Sequence, residues 1–168
     1  CEIFRTKRAL KLGEKGVLVD RLIAAADEGR SWMAAEEADL LIWGQVVRGM
    51  IELRFLPMRP APESQPGAFG LGDVLLLPKT FTGDLNGVLY ATVLVAVGPT
   101  FKGLRSRIAS QFDSALALTK PVIQQKPAEI NSADYTTMVA CLGNAFAAHA
   151  MLGGPEKRLD QAASAYKI

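Results

Sequence analysis

The chain has 168 residues, enough for one substantial domain or two small ones. Hydrophobic residues make up 49% and charged residues 21%, an ordinary composition for a folded globular protein that excludes wholesale disorder. The net charge of +2, from 19 basic and 17 acidic side chains, is too balanced to predict nucleic acid as a partner.

Basic residues form two local clusters: Arg5, Lys7, Arg8 and Lys11, and then Lys102, Arg105 and Arg107. Neither cluster alternates with the aromatic residues on which a single-strand binder stacks bases. We interpret both as solvated surfaces, with an anionic partner as the alternative. The longest strongly apolar run, residues 88–97, is about half the length that crosses a bilayer, so we expect no membrane span in this chain.

The ends of the sequence indicate a piece of a longer protein, because it begins with Cys1 and stops at Ile168 inside an apparent helix. A cysteine at position one is also the residue that carries the lipid of a processed bacterial lipoprotein. The residues after it have the pattern of a strand and not of a tether, so we expect a cytoplasmic protein, with a periplasmic lipoprotein as the alternative. Cys1 and Cys141 are too far apart in sequence to define a metal spacing or a redox pair.

The first elements in the chain are a strand and a helix. Residues 1–12 alternate between polar and apolar side chains, which predicts a strand at the exposed side of a sheet. From Val17 to about Ala38 the apolar positions fall on one helical face, with an interruption near Gly29 left open. That face consists of Leu18, Leu22, Ala25, Ala26, Gly29 and Met33.

A strand pair follows. Residues 39–47 are almost continuously apolar, which predicts a strand buried on both faces with Trp43 in the core. Residues 48–49 form a turn, and residues 51–56 alternate, with Glu52 and Arg54 on the wet side. The pattern therefore predicts an antiparallel hairpin.

The second half becomes helical. Residues 57–72 read as a loop, residues 73–77 as a short strand, and residues 85–97 as a helix capped by Thr82 or Asp84. The next helix carries an apolar stripe of Leu104, Ile108, Phe112, Ala115 and Leu116 and decays into a linker framed by Pro121 and Pro127. We predict an α/β half with a small mixed sheet and packed helices over residues 1–99, followed by an all-α region over residues 100–168.

The last segment, residues 132–168, predicts a helical hairpin. Ser132 is the expected N-cap of a helix that runs to about Leu152 and ends at Gly153, and a second helix opens near Glu156. The apolar side of the first helix consists of Met138, Val139, Leu142, Ala145, Phe146 and Ala150, and that of the second consists of Leu159, Ala162, Ala163 and Tyr166.

This hairpin resembles a tetratricopeptide repeat (TPR). Leu142, Gly143 and Phe146 match the Leu-Gly-x-x-Tyr step of the first helix, and Ala162 and Tyr166 match the Ala-x-x-x-Phe/Tyr step of the second. The small residues Gly143 and Ala162 stand where two helices cross closely. The resemblance implies an array of such hairpins that binds a protein or peptide partner, with further repeats beyond Ile168.

The first half resembles a TolB amino-terminal-type α/β domain. The similarity covers residues 3–56 and centres on the phrase Ala-Asp-Leu-Leu-Ile-Trp-Gly at residues 38–44. The family usually opens with a further upstream strand, and in bacterial proteins it is often followed by TPR repeats. The resemblance therefore implies a bacterial, often signalling, protein whose catalytic or sensory module lies elsewhere.

The sequence offers little catalytic chemistry. His149 is the single histidine, and Cys141 lies eight residues before it, so the two side chains do not meet on one helix. The glycine-rich residues 67–72 precede a strand, whereas a dinucleotide loop opens a helix. Glu36, Glu37 and Asp39 are sequence neighbours at a helix end, where carboxylates are usually solvated. We expect no enzyme, cofactor or metal site.

The leading hypothesis is a non-enzymatic protein-interaction scaffold, with Thr137 and Asn144 as candidate partner-binding positions on the first hairpin helix. The alternative is a sensor that binds a small molecule or nucleotide in the crevice at the strand ends of the α/β half.

Overall fold

The computed structural model describes residues 10, 12–13, 16–60, 62, 65, 68–79, 85–98, 105–128 and 130–167, with the side chains of residues 105–107 excepted. The fold is α+β, with six helices and one three-stranded antiparallel sheet in that part of the chain. In chain order the elements are α1 (Leu18–Ala35), β1 (Leu40–Val47), β2 (Met50–Pro57), β3 (Leu75–Pro78), α2 (Asn86–Val97), α3 (Arg105–Leu118), α4 (Lys120–Gln124), α5 (Ser132–Met151) and α6 (Lys157–Ala165).

Several sequence-based interpretations lie outside the described residues. They include most of the strand predicted over residues 1–12, the first basic cluster and the two candidate caps before α2. The residues concerned are Cys1, Arg5, Lys7, Arg8, Lys11, Gly67, Thr82, Asp84, Lys102 and Leu104.

The predicted hairpin of β1 and β2 is confirmed. The two strands pair antiparallel, and the turn between them consists of Arg48 and Gly49, whose φ angles are 50° and 83°. Positive φ at both central residues is what the tight type I′ hairpin turn requires, and glycine adopts it without a steric penalty. β3 pairs antiparallel with β2, giving the order β1-β2-β3.

The prediction that β1 is buried on both faces is wrong. Ile42 is 43% exposed and Val46 is 59% exposed, because β1 stands at one end of the described sheet while the helices of the main core pack on β2 and β3. Trp43 is half-buried instead of in the core, and the Arg54 guanidinium lies 5.8 Å from the centroid of its ring across the strand pair. This is a cation–π contact on the surface of the sheet.

Helix α1 packs against β1 and β2 around a small separate cluster made of Ala26, Met33 and Leu56. The helix is continuous through Gly29, so the interruption left open there does not occur. A Cβ at Gly29 would lie 2.7 Å from the Cδ2 atom of Leu56. Glycine therefore lets α1 approach the sheet closely at this point.

The main core lies between the sheet and helices α2, α3 and α5. Phe55 from β2 and Leu77 from β3 meet Val88 of α2, Phe112 of α3 and Leu142 of α5 in one continuous apolar cluster. Helix α5 is central to it, since it packs against α2, α3, α6 and β3. The cluster takes residues from both sides of the boundary predicted near residue 99, and that boundary stays a prediction.

The ends of α5 combine one confirmed and one wrong prediction. The N-cap is Asn131 and not Ser132: the Asn131 side-chain oxygen accepts a hydrogen bond of 2.9 Å from the backbone N–H of Asp134. The C-terminal stop at Gly153 is as predicted, with a φ of 93° that favours glycine.

The segment between α3 and α5, predicted as a linker, includes the short helix α4. Pro121 lies in its first turn, where the N–H that proline lacks would have no helical acceptor. The Tyr135 hydroxyl donates a 3.0 Å hydrogen bond to the carbonyl oxygen of Val122, which ties α4 to α5.

Candidate functional site

The two positions proposed for partner binding are engaged within the chain. The Thr137 hydroxyl donates to the carbonyl oxygen of Ala133 at 3.2 Å, one turn earlier in α5. The Asn144 side-chain oxygen accepts a 2.6 Å hydrogen bond from the Tyr166 hydroxyl at the end of α6. The Asn144 side chain therefore joins α5 to the end of α6, whereas the Thr137 hydroxyl bonds within α5, and neither residue lines the groove described below.

The helices of this hairpin approach most closely at Gly143. A Cβ at that position would lie 2.6 Å from the Cε1 atom of Tyr166, so a side chain there would collide with the phenol ring. Ala162 of α6 is buried at the same interface, whereas Tyr166 keeps 51% of its surface exposed. The remaining residues of the TPR-like pattern, Leu142 and Phe146, are buried in α5.

An apolar groove runs between α4 and α6 over the side of α5, and we call it the helical groove. It encloses about 230 Å³. Its apolar lining comes from all three helices and its polar lining comes from α6. The lining residues are Ile123, Val139, Leu142, Phe146 and Ala165, with the polar Asp160, Gln161 and Ser164.

The helical groove lies on the side of α5 opposite to Thr137 and Asn144, the positions predicted from the sequence to bind a partner. At about 100° per residue, Leu142 and Phe146 project about 140° and 180° away from Thr137 around the helix axis. The sequence did mark Val139, Leu142 and Phe146 as one apolar stripe. The opening above that stripe depends on where α4 and α6 lie, which the stripe alone does not encode.

A second cavity, the α1 hollow, opens where α1 ends and β1 begins. It has a volume of about 510 Å³ and is lined by Ala34, Glu37, Ala38, Asp39, Met58 and Arg59. Most of these side chains are exposed, and Glu37 has a φ of 50° at the turn that ends the helix. The α1 hollow thus has a larger volume than the helical groove, but none of its described lining residues is buried.

His149, in the last turn of α5, lies at the junction of α3, α5 and α6. Its ring is 1% exposed, stacks on Phe112 of α3 with a centroid distance of 5.5 Å and an interplanar angle of 12°, and is covered by Gly154. Among the described residues, neither ring nitrogen has a hydrogen-bond partner. Burial lowers the pKa of His149 below its usual 6.5; the Asp113 carboxylate opposes that shift and the Arg158 guanidinium adds to it.

Beside this ring, an ion pair connects α3 to α6. Arg158 donates from Nη2 to Asp113 Oδ1 at 2.8 Å and from Nη1 to the side-chain oxygen of Gln161 at 2.8 Å. Its guanidinium carbon lies 5.7 Å from the ring centroid of Phe146, which lines the helical groove. No local sequence pattern predicts this pair, because its members are 45 residues apart.

The structure supplies little conventional chemistry elsewhere in the described chain. The Cys141 thiol is buried beside the carbonyl oxygen of Val74; burial and, secondarily, the Asp73 carboxylate raise its pKa to about 12, so it is protonated and enclosed at neutral pH. Glu36, Glu37 and Asp39 are exposed. Within the described residues, no group of three or more His, Cys, Asp or Glu side chains is arranged to hold a metal ion.

Comparison of the chain with protein-family models, with curated proteins and with solved structures finds no match. None of the helices in the described ranges combines the length and the apolar character needed to cross a membrane.

Proposed function

We propose that this chain is a non-enzymatic protein-interaction module that holds an apolar segment of a protein partner in the helical groove. The observation that carries the proposal is the groove itself, which combines a buried apolar floor with an open mouth. Val139, Leu142 and Phe146 on the floor are each less than 5% exposed, and their packed positions offer a preformed surface. A preformed apolar site needs little reordering when a partner binds.

The size of the groove favours side chains over a whole ligand. Pockets for drug-sized molecules and cofactors usually enclose about 300–1,000 Å³. The helical groove, at about 230 Å³, falls below that range and suits one or two apolar side chains of a peptide segment.

The rim of the groove favours a partner segment that has a basic residue next to its buried apolar side chain. Among the described residues, Asp160 is the one charged residue that lines it, and Gln161 and Ser164 add hydrogen-bonding groups on the same helix. A partner segment that places lysine or arginine next to a leucine, isoleucine or aromatic residue matches both features. Amphipathic segments that bind grooves use this combination of apolar anchors and a polar rim.

The small and large residues at the hairpin crossing support a TPR-type assignment as part of this proposal. Gly143 and Tyr166 meet as a small and a bulky residue between two antiparallel helices, which is the arrangement that the repeat pattern requires. On this reading the hairpin belongs to a longer array in a bacterial signalling protein, and the partner is a protein or a peptide.

Peptides from a random display library, selected against the full chain, test the proposal. We expect enrichment of apolar residues beside lysine or arginine, and amide chemical-shift changes that cluster at Val139, Leu142 and Ala165 when a selected peptide is titrated. Enrichment of acidic peptides, or shift changes confined to another surface, would contradict it.

A second function, that of a small-molecule sensor, is favoured by one observation. The α1 hollow lies at the strand ends of the α/β half and, at about 510 Å³, falls within the usual range for ligand pockets. Saturable binding of a nucleotide or metabolite from a defined panel, with shift changes at Glu37 and Arg59, would favour this function. The exposed lining of the hollow makes it the weaker candidate, since a ligand there would bury little apolar surface.

A further inference from the structure

The imidazole of His149 is a buried polar group to which no residue in the described part of the chain makes a hydrogen bond. Its Nδ1 atom lies 3.9 Å from Asp113 Oδ1, which is beyond hydrogen-bond distance, and Gly154 closes the other edge of the ring. An unsatisfied buried polar group destabilises the folded state relative to a satisfied one, because it loses its hydrogen bonds to water without replacement. A leucine or phenylalanine at this position would avoid that cost, so the histidine is unexplained by packing alone.

The carboxylate nearest to the ring is already engaged. The same oxygen, Asp113 Oδ1, accepts the 2.8 Å hydrogen bond from Arg158. Asp113 keeps 56% of its side chain exposed, whereas only 14% of the Arg158 side chain is exposed. The Asp113 carboxylate therefore lies between the His149 ring and a largely enclosed guanidinium on α6.

We propose that His149 is a proton-sensitive latch for α6: protonation of the neutral imidazole from solvent draws the Asp113 carboxylate away from Arg158 and loosens α6 against α3. The ring then donates from Nδ1 to the carboxylate, and the guanidinium keeps only Gln161 and the face of Phe146. No covalent bond changes, and the proton returns to solvent when the pH rises.

Among the side chains that the structure describes, few charged groups act on the ring. Helix α3 contributes Asp113 and helix α6 contributes Arg158, and these two act on the ring in opposite directions. Helix α2 and strand β3, which also pack against α5, contain no acidic, basic or histidine residue. Phe112 stacks on the ring, and an aromatic face attracts a cation.

Burial outweighs these attractions, so the net effect of acid is destabilising. The folded-state pKa lies below the unfolded value of 6.5, which means that the unfolded chain binds the proton more readily. Above about pH 6.5 the imidazole is neutral in the folded and the unfolded chain, and the free energy of unfolding does not depend on its titration. As the pH falls from there towards the folded-state pKa, the unfolded chain binds the proton first and the free energy of unfolding decreases. Loosening of α6 therefore begins in weakly acidic solution.

The latch has a consequence for the helical groove that rests on the proposed function. Asp160, Gln161, Ser164 and Ala165 of α6 line the groove, so loosening α6 changes its rim. Partner binding through the groove should weaken below pH 6.5. The latch itself depends only on contacts within the chain and is tested without any partner.

Hydrogen exchange of α6 amides in the full chain measures the latch directly. The quantity measured is the ratio of the exchange rate of α6 amides to that of α2 amides, corrected for intrinsic exchange. We expect this ratio to be several-fold higher at pH 5.5 than at pH 7.5. One proton sets an upper bound of about tenfold per pH unit. Because the chain has a single histidine, the Cε1 proton resonance of His149 reports its titration without ambiguity, and its midpoint should lie below 6.5.

Variants distinguish the latch from a destabilisation of the whole chain by low pH. His149→Phe keeps the stack on Phe112 and removes the titrating group, and His149→Gln serves if the phenylalanine does not fit beside Gly154. Either variant should abolish the pH step in α6 exchange. Arg158→Gln should release α6 at pH 7.5 already, whereas Lys157→Gln, an exposed neighbour with the same change of charge, should not.

Two results would overturn the latch. One is an α6-to-α2 exchange ratio that stays constant between pH 7.5 and 5.5 in the natural chain. The other is a pH step that persists in both His149 variants. Loss of peptide binding in the groove at all pH values, with the α6 step intact, would contradict the proposed function and leave the latch standing.

Discussion

The phenol ring of Tyr166 rests against the backbone of Gly143, in the space that a Cβ on Gly143 would occupy. This contact sets how closely α6 lies on α5, and the Tyr166 hydroxyl secures it with a hydrogen bond to Asn144. The position of α6 in turn defines one wall of the helical groove. The contact therefore links a local sequence pattern to the surface that we propose for partner binding.

Replacing Gly143 tests this contact. We expect Gly143→Val to lower the free energy of unfolding by about 1–3 kcal/mol, because the added side chain displaces the Tyr166 ring. Urea unfolding measures the change. When Gly143→Val is made in a protein that already carries Tyr166→Ala, the loss of stability should be smaller by about 0.5–3 kcal/mol, which is the interaction energy between the two positions. Gly98→Val at the end of α2, where a Cβ would meet no atom within 4 Å, is the control; equal costs at both glycines would refute the contact.

Helix α5 provides a choice between two adjacent caps. We expect Asn131→Ala to lower stability by about 1 kcal/mol, since it removes the acceptor for the Asp134 N–H, and Ser132→Ala to change it little. Thermal unfolding of the two variants compares them directly. A larger loss for Ser132→Ala would restore the cap predicted from the sequence.

The β1–β2 hairpin depends on Gly44. A Cβ there would overlap the carbonyl oxygen of Glu52 on the paired strand, and backbone atoms cannot move aside as a side chain does. Gly44→Ala should therefore lower the free energy of unfolding by about 1–3 kcal/mol. Gly72→Ala, with open space around the new methyl group, should be nearly neutral in the same urea titration. A neutral Gly44→Ala would show that the strands pair differently.

Patterns of local periodicity predicted most of the helices and the hairpin. Leu22, Ala25 and Met33 in α1 are buried as their spacing requires, and the Arg48-Gly49 turn forms because the backbone conformation is set by residues next to each other. Gly153 ends α5 for the same local reason. In these elements the determining contacts lie within a few residues, so the sequence was sufficient to predict them.

Apart from the N-cap of α5, which is Asn131 and not its neighbour Ser132, the errors concern features that depend on distant elements. The apolar run of β1 fits a central strand or one at the end of a sheet equally well, and Ile42 and Val46 are exposed because of where the helices lie. The helical groove requires α4 and α6 to flank the same side of α5. The Asp113–Arg158 ion pair joins α3 to α6. No spacing along the chain encodes these relationships.

The central claim is that the helical groove binds a partner segment, and a blocking variant tests it most directly. Ser164→Trp places an indole at the groove. Ser114→Trp on α3 is the matched control, since both serines are exposed and each donates to a carbonyl oxygen one turn earlier. The measurement is the dissociation constant of a display-selected peptide for the natural chain and both variants. We predict at least about tenfold weaker binding for Ser164→Trp, equivalent to 1.4 kcal/mol, with Ser114→Trp unchanged. Equal affinity in all three proteins would contradict the account.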